Sequence, residues 1–234
     1  MTILVIDTCL SACQVGLFGA GIMLAGATEP MERGHQERLA PMAADVMAGE
    51  RFSDLSKIVV TIGPGSFTGL RIGLSAGKGL CASLGISLLC VPTFDAVAWR
   101  AFQQLPGVNA LMICTDARQG LYFLGTYDRA RMDHGWKDNV RVLPFGEIIP
   151  SASGVEYAVV TDSRSDMESI FDSERVFDDI QKFWCGESVA LLGERMLLRG
   201  DRSNLDEAEP LYLRDFVVRR PPTLNSEKLS HGVV

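Results

Sequence analysis

The sequence predicts an α/β fold with two similar lobes, each a mixed sheet flanked by helices. Three observations predict it: a glycine-rich turn between a strand and a helix, a βαβ unit around that turn, and two strand–turn–strand units. The first unit covers residues 4–18 with Asp7 at the end of its first strand, and the second covers residues 110–127 with Asp116 in the equivalent position. This repetition indicates an internal duplication.

The first lobe is predicted to open with a meander of three strands. Residues 1–6 have the pattern of a buried strand, residues 13–18 return as a second strand, and residues 22–25 follow a Gly-Ala-Gly turn as a third. The uncharged stretch at 8–28 is long enough to raise a membrane span, but its glycines and polar residues favour strands and a turn. Asp7 interrupts the apolar start and no basic segment precedes it, so we expect no secretory signal and a cytoplasmic protein.

Helical and strand patterns then alternate. Apolar residues between 35 and 48 recur at helical spacing, and Pro41 is expected to bend this helix or to open its first turn. A strand at 58–62, a helix that ends at Leu84 and a strand at 87–91 form the βαβ unit.

The later part of the chain is predicted to form the second lobe and a tail. Residues 129–153 are polar and dotted with glycine and proline, whereas residues 155–161 have a strand pattern and residues 187–199 a helical one. The predicted organisation is an N-terminal lobe at 1–106, a C-terminal lobe at 107–218 and a disordered tail at 219–234.

A glycine-rich loop follows the strand at 58–62. Its glycines can adopt positive φ, its proline fixes φ near −65°, and its hydroxyl groups can accept hydrogen bonds from the free amides at the helix start. We predict a structural loop made by Gly63, Pro64, Gly65, Ser66, Thr68 and Gly69.

A phosphate site is the other interpretation of this loop, because a helix N-terminus below a tight turn attracts anions. The Walker motif requires lysine after the last glycine, whereas Leu70 follows Gly69. The dinucleotide fingerprint fails as well, since the glycines are too far apart and Pro64 removes an amide donor. The spacing therefore favours a structural turn over direct phosphate binding.

Small residues recur every fourth position along the helix after the loop, at Gly69, Gly73, Gly77 and Cys81. Glycine costs about 1 kcal/mol relative to alanine inside a helix, so close packing must compensate. That packing is either contact within one lobe or the approach of a partner helix, and the pattern alone leaves both open.

Composition limits the classes of function. The chain has 234 residues, 47% of them apolar, which is ordinary for a globular protein. Its net charge is −7 and its isoelectric point is about 5.0, so a broad electrostatic grip on nucleic acid by this chain alone is not expected.

The cysteines are expected to be reduced structural thiols, because they form no Cys-x-x-Cys pair and no cluster with histidine. There are six: Cys9, Cys13, Cys81, Cys90, Cys114 and Cys185. A nucleophilic thiol needs a base, and neither His35 nor His134 has a spacing that identifies it as one. Proteolysis by a thiol is nevertheless a third possible functional class.

Duplicated lobes that each open with a strand–turn–strand unit ending in aspartate indicate the actin, Hsp70 and sugar-kinase architecture. In that fold the hairpins hold ATP phosphates and the aspartates organise Mg²⁺, which makes Asp7 a candidate remnant of a nucleotide site. A single aspartate at a strand end is more often a turn former. An ATP-binding enzyme of the sugar-kinase or ATPase type is therefore the alternative function.

Four separated motifs resemble one family, the bacterial TsaB (YeaZ) proteins. They are the opening Leu-Val-Ile-Asp-Thr at 4–8, the glycine run at 63–73, Asp-Ala-Arg-Gln-Gly at 116–120 and Glu-Pro-Leu-Tyr-Leu-Arg at 209–214. The resemblance spans about residues 1–220, in the order found in the family.

The resemblance implies an actin-like (ASKHA) fold with duplicated ribonuclease-H-like lobes. It implies a non-catalytic scaffold subunit of the complex that forms N6-threonylcarbamoyladenosine at position 37 of ANN-decoding tRNAs. The implied partners are the catalytic paralogue TsaD and the ATPase TsaE, with a homodimer as an alternative in isolation. ATP and threonylcarbamoyl-AMP would be handled by those partners, tRNA would be met only through the complex, and the chain would carry no cofactor of its own.

The paralogue supplies a residue-level comparison, because its metal-binding His-x-x-x-His follows the strand after the glycine-loop helix. Thr93 and Val97 stand at those positions here, so the pair of imidazoles needed for a divalent metal is absent. We therefore predict no metal and no catalytic residue, and a metalloprotease interpretation loses its chemistry.

The resemblance also implies a helical partner interface formed by the two N-terminal-lobe helices. The candidates are the apolar and small residues of those helices: Leu39, Met42, Ala43, Val46, Met47, Leu70, Gly73, Leu74 and Gly77. The same residues can instead belong to the core of the lobe.

Overall fold

The chain forms two five-stranded mixed sheets with helices on their faces. The computed structural model describes residues 2–132, 136, 139–149, 154–178, 180–183, 186–200 and 205–213. Cys185, His134 and the tail predicted at 219–234 lie outside the described residues.

The first sheet has the strand order β3-β2-β1-β4-β5. Its strands are β1 Thr2–Asp7, β2 Ala12–Gly19, β3 Ile22–Pro30, β4 Lys57–Thr61 and β5 Ser87–Val91. β1, β2 and β3 form an antiparallel meander, while β4 pairs in parallel with β1 and β5 in parallel with β4. The central strands are buried on both faces, which explains why β1 and β4 are continuous apolar runs rather than alternating ones.

The second sheet repeats this arrangement with the order β10-β9-β6-β7-β8. Its strands are β6 Ala110–Asp116, β7 Leu121–Asp128, β8 Val140–Pro144, β9 Ala158–Thr161 and β10 Val176–Asp178. Three antiparallel strands are again followed by two parallel ones. The repetition confirms the predicted two-lobe α/β fold, although the sequence analysis did not foresee β8 or β10.

Five α-helices accompany the sheets in the described part of the chain. They are α1 His35–Val46, α2 Phe67–Leu84, α3 Thr93–Gln104, α4 Arg164–Glu168 and α5 Gly186–Leu198. None of them is long and apolar enough to cross a bilayer. Short 3₁₀ turns lie at Phe52–Asp54, Arg129–Arg131, Phe145–Glu147, Ser173–Arg175 and Ile180–Lys182.

The helices cross between the lobes. α1 and α2 share one core with the first sheet, and α5, which follows the second sheet along the chain, packs on the opposite face of the first. α3 precedes the second sheet yet places Phe94 and Phe102 in that sheet's core, while its Trp99 packs with α5. The first sheet lies before residue 106 in the chain and the second lies after it. Because α3 and α5 each pack on the sheet of the other half, the predicted limits 1–106 and 107–218 stay a prediction.

A buried polar pair fixes α3 on the second sheet. The hydroxyl group of Tyr127 on β7 donates a hydrogen bond to Oδ1 of Asp95 at 3.1 Å, and both side chains are buried. Burial raises the pKa of Asp95 to about 7 and the pKa of Tyr127 well above its usual value.

We expect Asp95 to make stability depend on pH. Between the ordinary carboxyl pKa and about 7, the folded protein keeps a proton that the unfolded chain releases, so stability falls as pH rises through this range. Asp95→Asn should remove this dependence, which is on the order of 1–3 kcal/mol between pH 5 and pH 8. Urea unfolding of both proteins at the two pH values measures this change, and Asp45→Asn, at an exposed position, is the control. The prediction is wrong if the free energy of unfolding changes equally between the two pH values in wild type and in Asp95→Asn.

Candidate functional site

The glycine loop lies backbone against backbone on the turn between β1 and β2. Gly63 has a φ of 107°, which only glycine adopts readily, and a cis peptide bond joins it to Pro64. A β-carbon on Gly65 would collide with the carbonyl oxygen of Cys9, and one on Gly69 with that of Thr8. The spacing of these glycines is therefore set by contact with the first hairpin.

Several donors of the loop are already bonded within the chain. The amide of Gly63 donates to Oγ1 of Thr93 at 3.1 Å, and the amide of Ser66 donates to the carbonyl oxygen of Cys9 at 2.7 Å. The amide of Gly69 donates to Oγ of Ser66 at 3.2 Å, which makes Ser66 the N-cap of α2. These donors are not available to an anion, so the loop serves the fold here.

The two aspartates at the ends of the first strands shape their hairpins in the same way. Asp7 accepts a hydrogen bond from the amide of Cys9 at 2.7 Å, and Asp116 accepts one from the amide of Arg118 at 2.6 Å. Each aspartate thus closes a turn two residues on, as short carboxylates often do. Asp7 is buried beneath its hairpin, whereas Asp116 is exposed.

A cavity of about 510 Å³ separates the lobes. It is walled by both hairpin turns, by the glycine loop and by residues 211–213, so three of the four sequence motifs meet there, beside the turn that follows the opening motif. Asp7 is not in the wall. The charged side chains in the wall are Glu32, Asp116, Asp162 and Arg118.

Asp162, which follows β9, is a residue of the cavity wall that was not among the sequence-based candidates. Its Oδ1 accepts a hydrogen bond from the amide of Asp116 at 3.0 Å, and burial raises its pKa. Its position after a strand of the second sheet was the available signal, because the ends of parallel strands meet at one edge. Carboxylates outnumber guanidinium groups in this wall, which disfavours a polyphosphate ligand.

Four of the described thiols have a raised pKa. Cys9 lies in the cavity wall with its Sγ 3.0 Å from Oγ1 of Thr61, and burial raises its pKa far above the usual value. Burial likewise raises the pKa of Cys13 and Cys81 to about 11 and that of Cys114 to about 12. With Cys90, the five described cysteines are all buried, so none is a ready nucleophile.

The positions that correspond to the paralogue's metal ligands are part of the framework. Thr93 caps the loop through Gly63, and Val97 is fully buried on α3. Within the described ranges, no three His, Cys, Asp or Glu side chains come together in a way that suits a metal ion.

The nine predicted interface residues are buried in the chain itself, which fits the core alternative, and two of them, Leu39 and Ala43, also line a groove at the surface, so their contact with a partner stays a prediction. Leu39, Met42, Ala43, Val46, Met47, Leu70, Gly73, Leu74 and Gly77 are all buried. A β-carbon on Gly73 would lie 2.5 Å from Oγ1 of Thr8, and one on Gly77 would lie 2.6 Å from Cγ1 of Val60. The small-residue stripe therefore packs against the chain's own sheet, because the helix must approach it closely.

The same two helices also present an accessible surface. A groove of about 600 Å³ runs between α1 and α2, and its half-buried or exposed wall includes Ala40, Phe52, Ile72, Ala76 and Leu80. Ile72, Ala76 and Leu80 recur every fourth residue, one helical position before the stripe. That second apolar series was the signal that would have identified this face.

The closing motif, described up to residue 213, packs on the outer side of the glycine loop. The amide of Leu211 donates to the carbonyl oxygen of Ile62 at 2.8 Å, and Ala208 is buried in the core of the first lobe. The ring of Tyr212 lies 5.4 Å from that of Phe67, centre to centre. The end of the described chain is thus anchored at the start of α2.

Two lobes with the same strand order, meeting at a cleft between two hairpins, define a protein of the actin-like class. A family model described as TsaD, tRNA N6-adenosine threonylcarbamoyltransferase, matches residues 28–139. The chain is 29% identical to the Escherichia coli tRNA threonylcarbamoyladenosine biosynthesis protein TsaB, over 93% of this chain and 96% of that protein. It is 33% identical to Bacillus subtilis TsaB over 54% of this chain and 55% of that protein.

A solved structure agrees with these similarities. YeaZ from Pseudomonas aeruginosa superposes with a TM-score of 0.74 at 26% identity, covering 91% of this chain and 99% of that one. Along most of its length the chain is thus similar in sequence and in structure to TsaB (YeaZ) proteins, the family that the four sequence motifs resemble.

Two glycines of α2 provide a matched test of the loop contact. Gly69→Ala should destabilise the protein by roughly 2 kcal/mol or more, because the added carbon meets the backbone of Thr8. Gly79→Ala has nothing within 4 Å of the added carbon and should stabilise the helix by about 0.5–1 kcal/mol. Free energies of unfolding from urea titration measure both; an equal effect of the two substitutions would refute the contact.

Proposed function

We propose that this chain is a non-catalytic subunit of the complex that forms N6-threonylcarbamoyladenosine at position 37 of ANN-decoding tRNAs, and that it binds the catalytic paralogue TsaD. The observation that carries the proposal is the similarity to Escherichia coli TsaB along nearly the whole of both chains, since that protein is named for threonylcarbamoyladenosine biosynthesis. A match confined to the glycine loop would not separate the chain from its paralogues.

The local chemistry supports a subunit without a reaction centre. The described thiols are buried, the amides of Gly63 and Gly69 are bonded within the chain, and Thr93 and Val97 stand where the resemblance places the paralogue's metal pair. In this proposal the chain functions by binding a partner protein, chiefly at the apolar groove between α1 and α2.

In this proposal TsaD docks its helices at that groove and TsaE completes the assembly in the cytoplasm. A homodimer of the chain is the alternative assembly in isolation. ATP and threonylcarbamoyl-AMP are handled by the partner subunits. A net charge of −7 gives the chain little attraction for RNA, so tRNA is met through the complex.

Reconstitution tests the proposal. Purified TsaD and TsaE, supplied with threonylcarbamoyl-AMP and an ANN-decoding tRNA, should modify adenosine 37 only when this chain is present. Ala76→Arg places a charge in the groove and should abolish modification, whereas Ala82→Arg, exposed elsewhere on α2, should not. Modified nucleoside is quantified by mass spectrometry; full activity of TsaD without the chain would end the proposal.

The cleft between the hairpins favours a second candidate, an ATP-binding enzyme of the sugar-kinase or ATPase type, because this is where that architecture places its nucleotide. Against it stand the acidic wall and the occupied loop donors.

Calorimetry separates the two candidates. We expect no heat of binding when ATP and Mg²⁺ are titrated into the isolated chain, because three carboxylates and one guanidinium group line the charged part of the cleft. Micromolar affinity that disappears with Asp116→Ala would instead favour the enzyme.

A further inference from the structure

The groove between α1 and α2 is apolar except for one charge. Arg71, on the first turns of α2, is the single charged side chain among the residues that line it in the described part of the chain. No described carboxylate lies within ion-pair distance of Arg71, although other exposed arginines such as Arg38 and Arg51 pair with neighbouring acids. A guanidinium group at an apolar surface without an acid of its own is a site for an acid from elsewhere.

Arg71 is held in place rather than left to move in solvent. Its guanidinium carbon lies 4.0 Å from the centre of the Phe67 ring and 5.7 Å from that of Tyr212, and its Nε donates a hydrogen bond to the hydroxyl oxygen of Tyr212 at 2.9 Å. The hydrogen bond uses only the Nε–H donor of Arg71. Its two terminal nitrogen atoms can therefore donate to both oxygen atoms of a partner's carboxylate.

The closing motif explains why Tyr212 is there. Leu211 is bonded to Ile62, the residue before the glycine loop, so the segment at 205–213 delivers the tyrosine to the start of α2. Phe67 lines both the groove and the cleft between the lobes, and the stack is therefore the wall between them. Phe67 and Tyr212, which are far apart in sequence, thus together position the guanidinium group of Arg71.

We infer that the groove selects a partner helix that carries an aspartate or glutamate opposite Arg71, and that Tyr212 is the positioning residue for that contact. The inference rests on the proposed function, in which the partner is TsaD, and it adds the chemistry of recognition. The helix supplies apolar side chains to Ile72, Ala76 and Leu80, and its carboxylate accepts the two terminal N–H groups of Arg71.

A second copy of this chain fits the groove less well. Two such grooves facing each other would bring two guanidinium groups together and no carboxylate, because none of the lining residues is acidic. Like charges at a desolvated interface are costly, so the unpaired guanidinium group favours a different chain over self-association.

Binding of purified TsaD to the full chain, measured by calorimetry at low and high salt, tests the inference. Arg71→Gln should weaken binding at least roughly tenfold and flatten its salt dependence, since the charged contact is lost. Arg71→Lys should recover only part of the affinity, because lysine lacks the planar fork. Tyr212→Phe keeps the ring and loses the hydroxyl group, so it should lie between wild type and Arg71→Gln.

Lys78→Gln is the matched control, because it removes a positive charge from the same helix outside the groove. Each variant is first shown to keep the wild-type melting temperature. Replacing the acids of the TsaD helices by alanine one at a time should identify one whose loss is not additive with Arg71→Gln.

The outcomes separate the two levels of the proposal. If wild-type chain does not bind TsaD, the proposed function and this inference both fail. If wild type binds and Arg71→Gln binds equally well with the same salt dependence, the inference is overturned and the proposed function stands. The inference is also overturned if the effect of Arg71→Gln on the binding free energy is additive with the effect of replacing each TsaD acid.

Discussion

Close approach between the start of α2 and the turn after β1 is the constraint on which the rest of the structure depends. A β-carbon on Gly65 or Gly69 would meet the backbone of Cys9 or Thr8, and the hydroxyl group of Thr8 donates a hydrogen bond to the carbonyl oxygen of Gly69 at 2.6 Å. Glycine is costly in a helix, but here it allows helix and hairpin to touch through their backbones. The contact fixes the glycine loop, the direction of α2 and the floor of the cleft.

Two surfaces follow from that contact, one on each side of the first turn of α2. On one side lies the cleft between the lobes, with acidic side chains contributed by both. On the other lies the apolar groove between α1 and α2. The stack of Phe67, Arg71 and Tyr212 stands between them, and it is completed by a segment from the end of the described chain. A fold associated with nucleotide binding thereby provides a surface suited to protein contact.

Local patterns predicted much of this fold because they involve neighbouring residues. The strands of the first meander, α2 and the parallel strands beside it alternate in the order that a βαβ unit requires, and they lie close to the predicted bounds. α3 was missed because every residue from 93 to 99 is buried, so the helix lacks the polar face that reveals helical period. β8 and β10 were missed because they are short edge strands, which become regular only by pairing with β7 and β9.

The sequence by itself determined the duplicated α/β architecture and the family resemblance, because each depends on residue types in a fixed order. Only the tertiary structure decided which face of α2 is inside. Gly73 and Gly77 were predicted at an interface, yet they lie close to Thr8, in the turn after β1, and to Val60 on β4. A period of four residues describes a stripe on a helix but not the direction in which that stripe points, since direction is set by packing against strands far away in sequence.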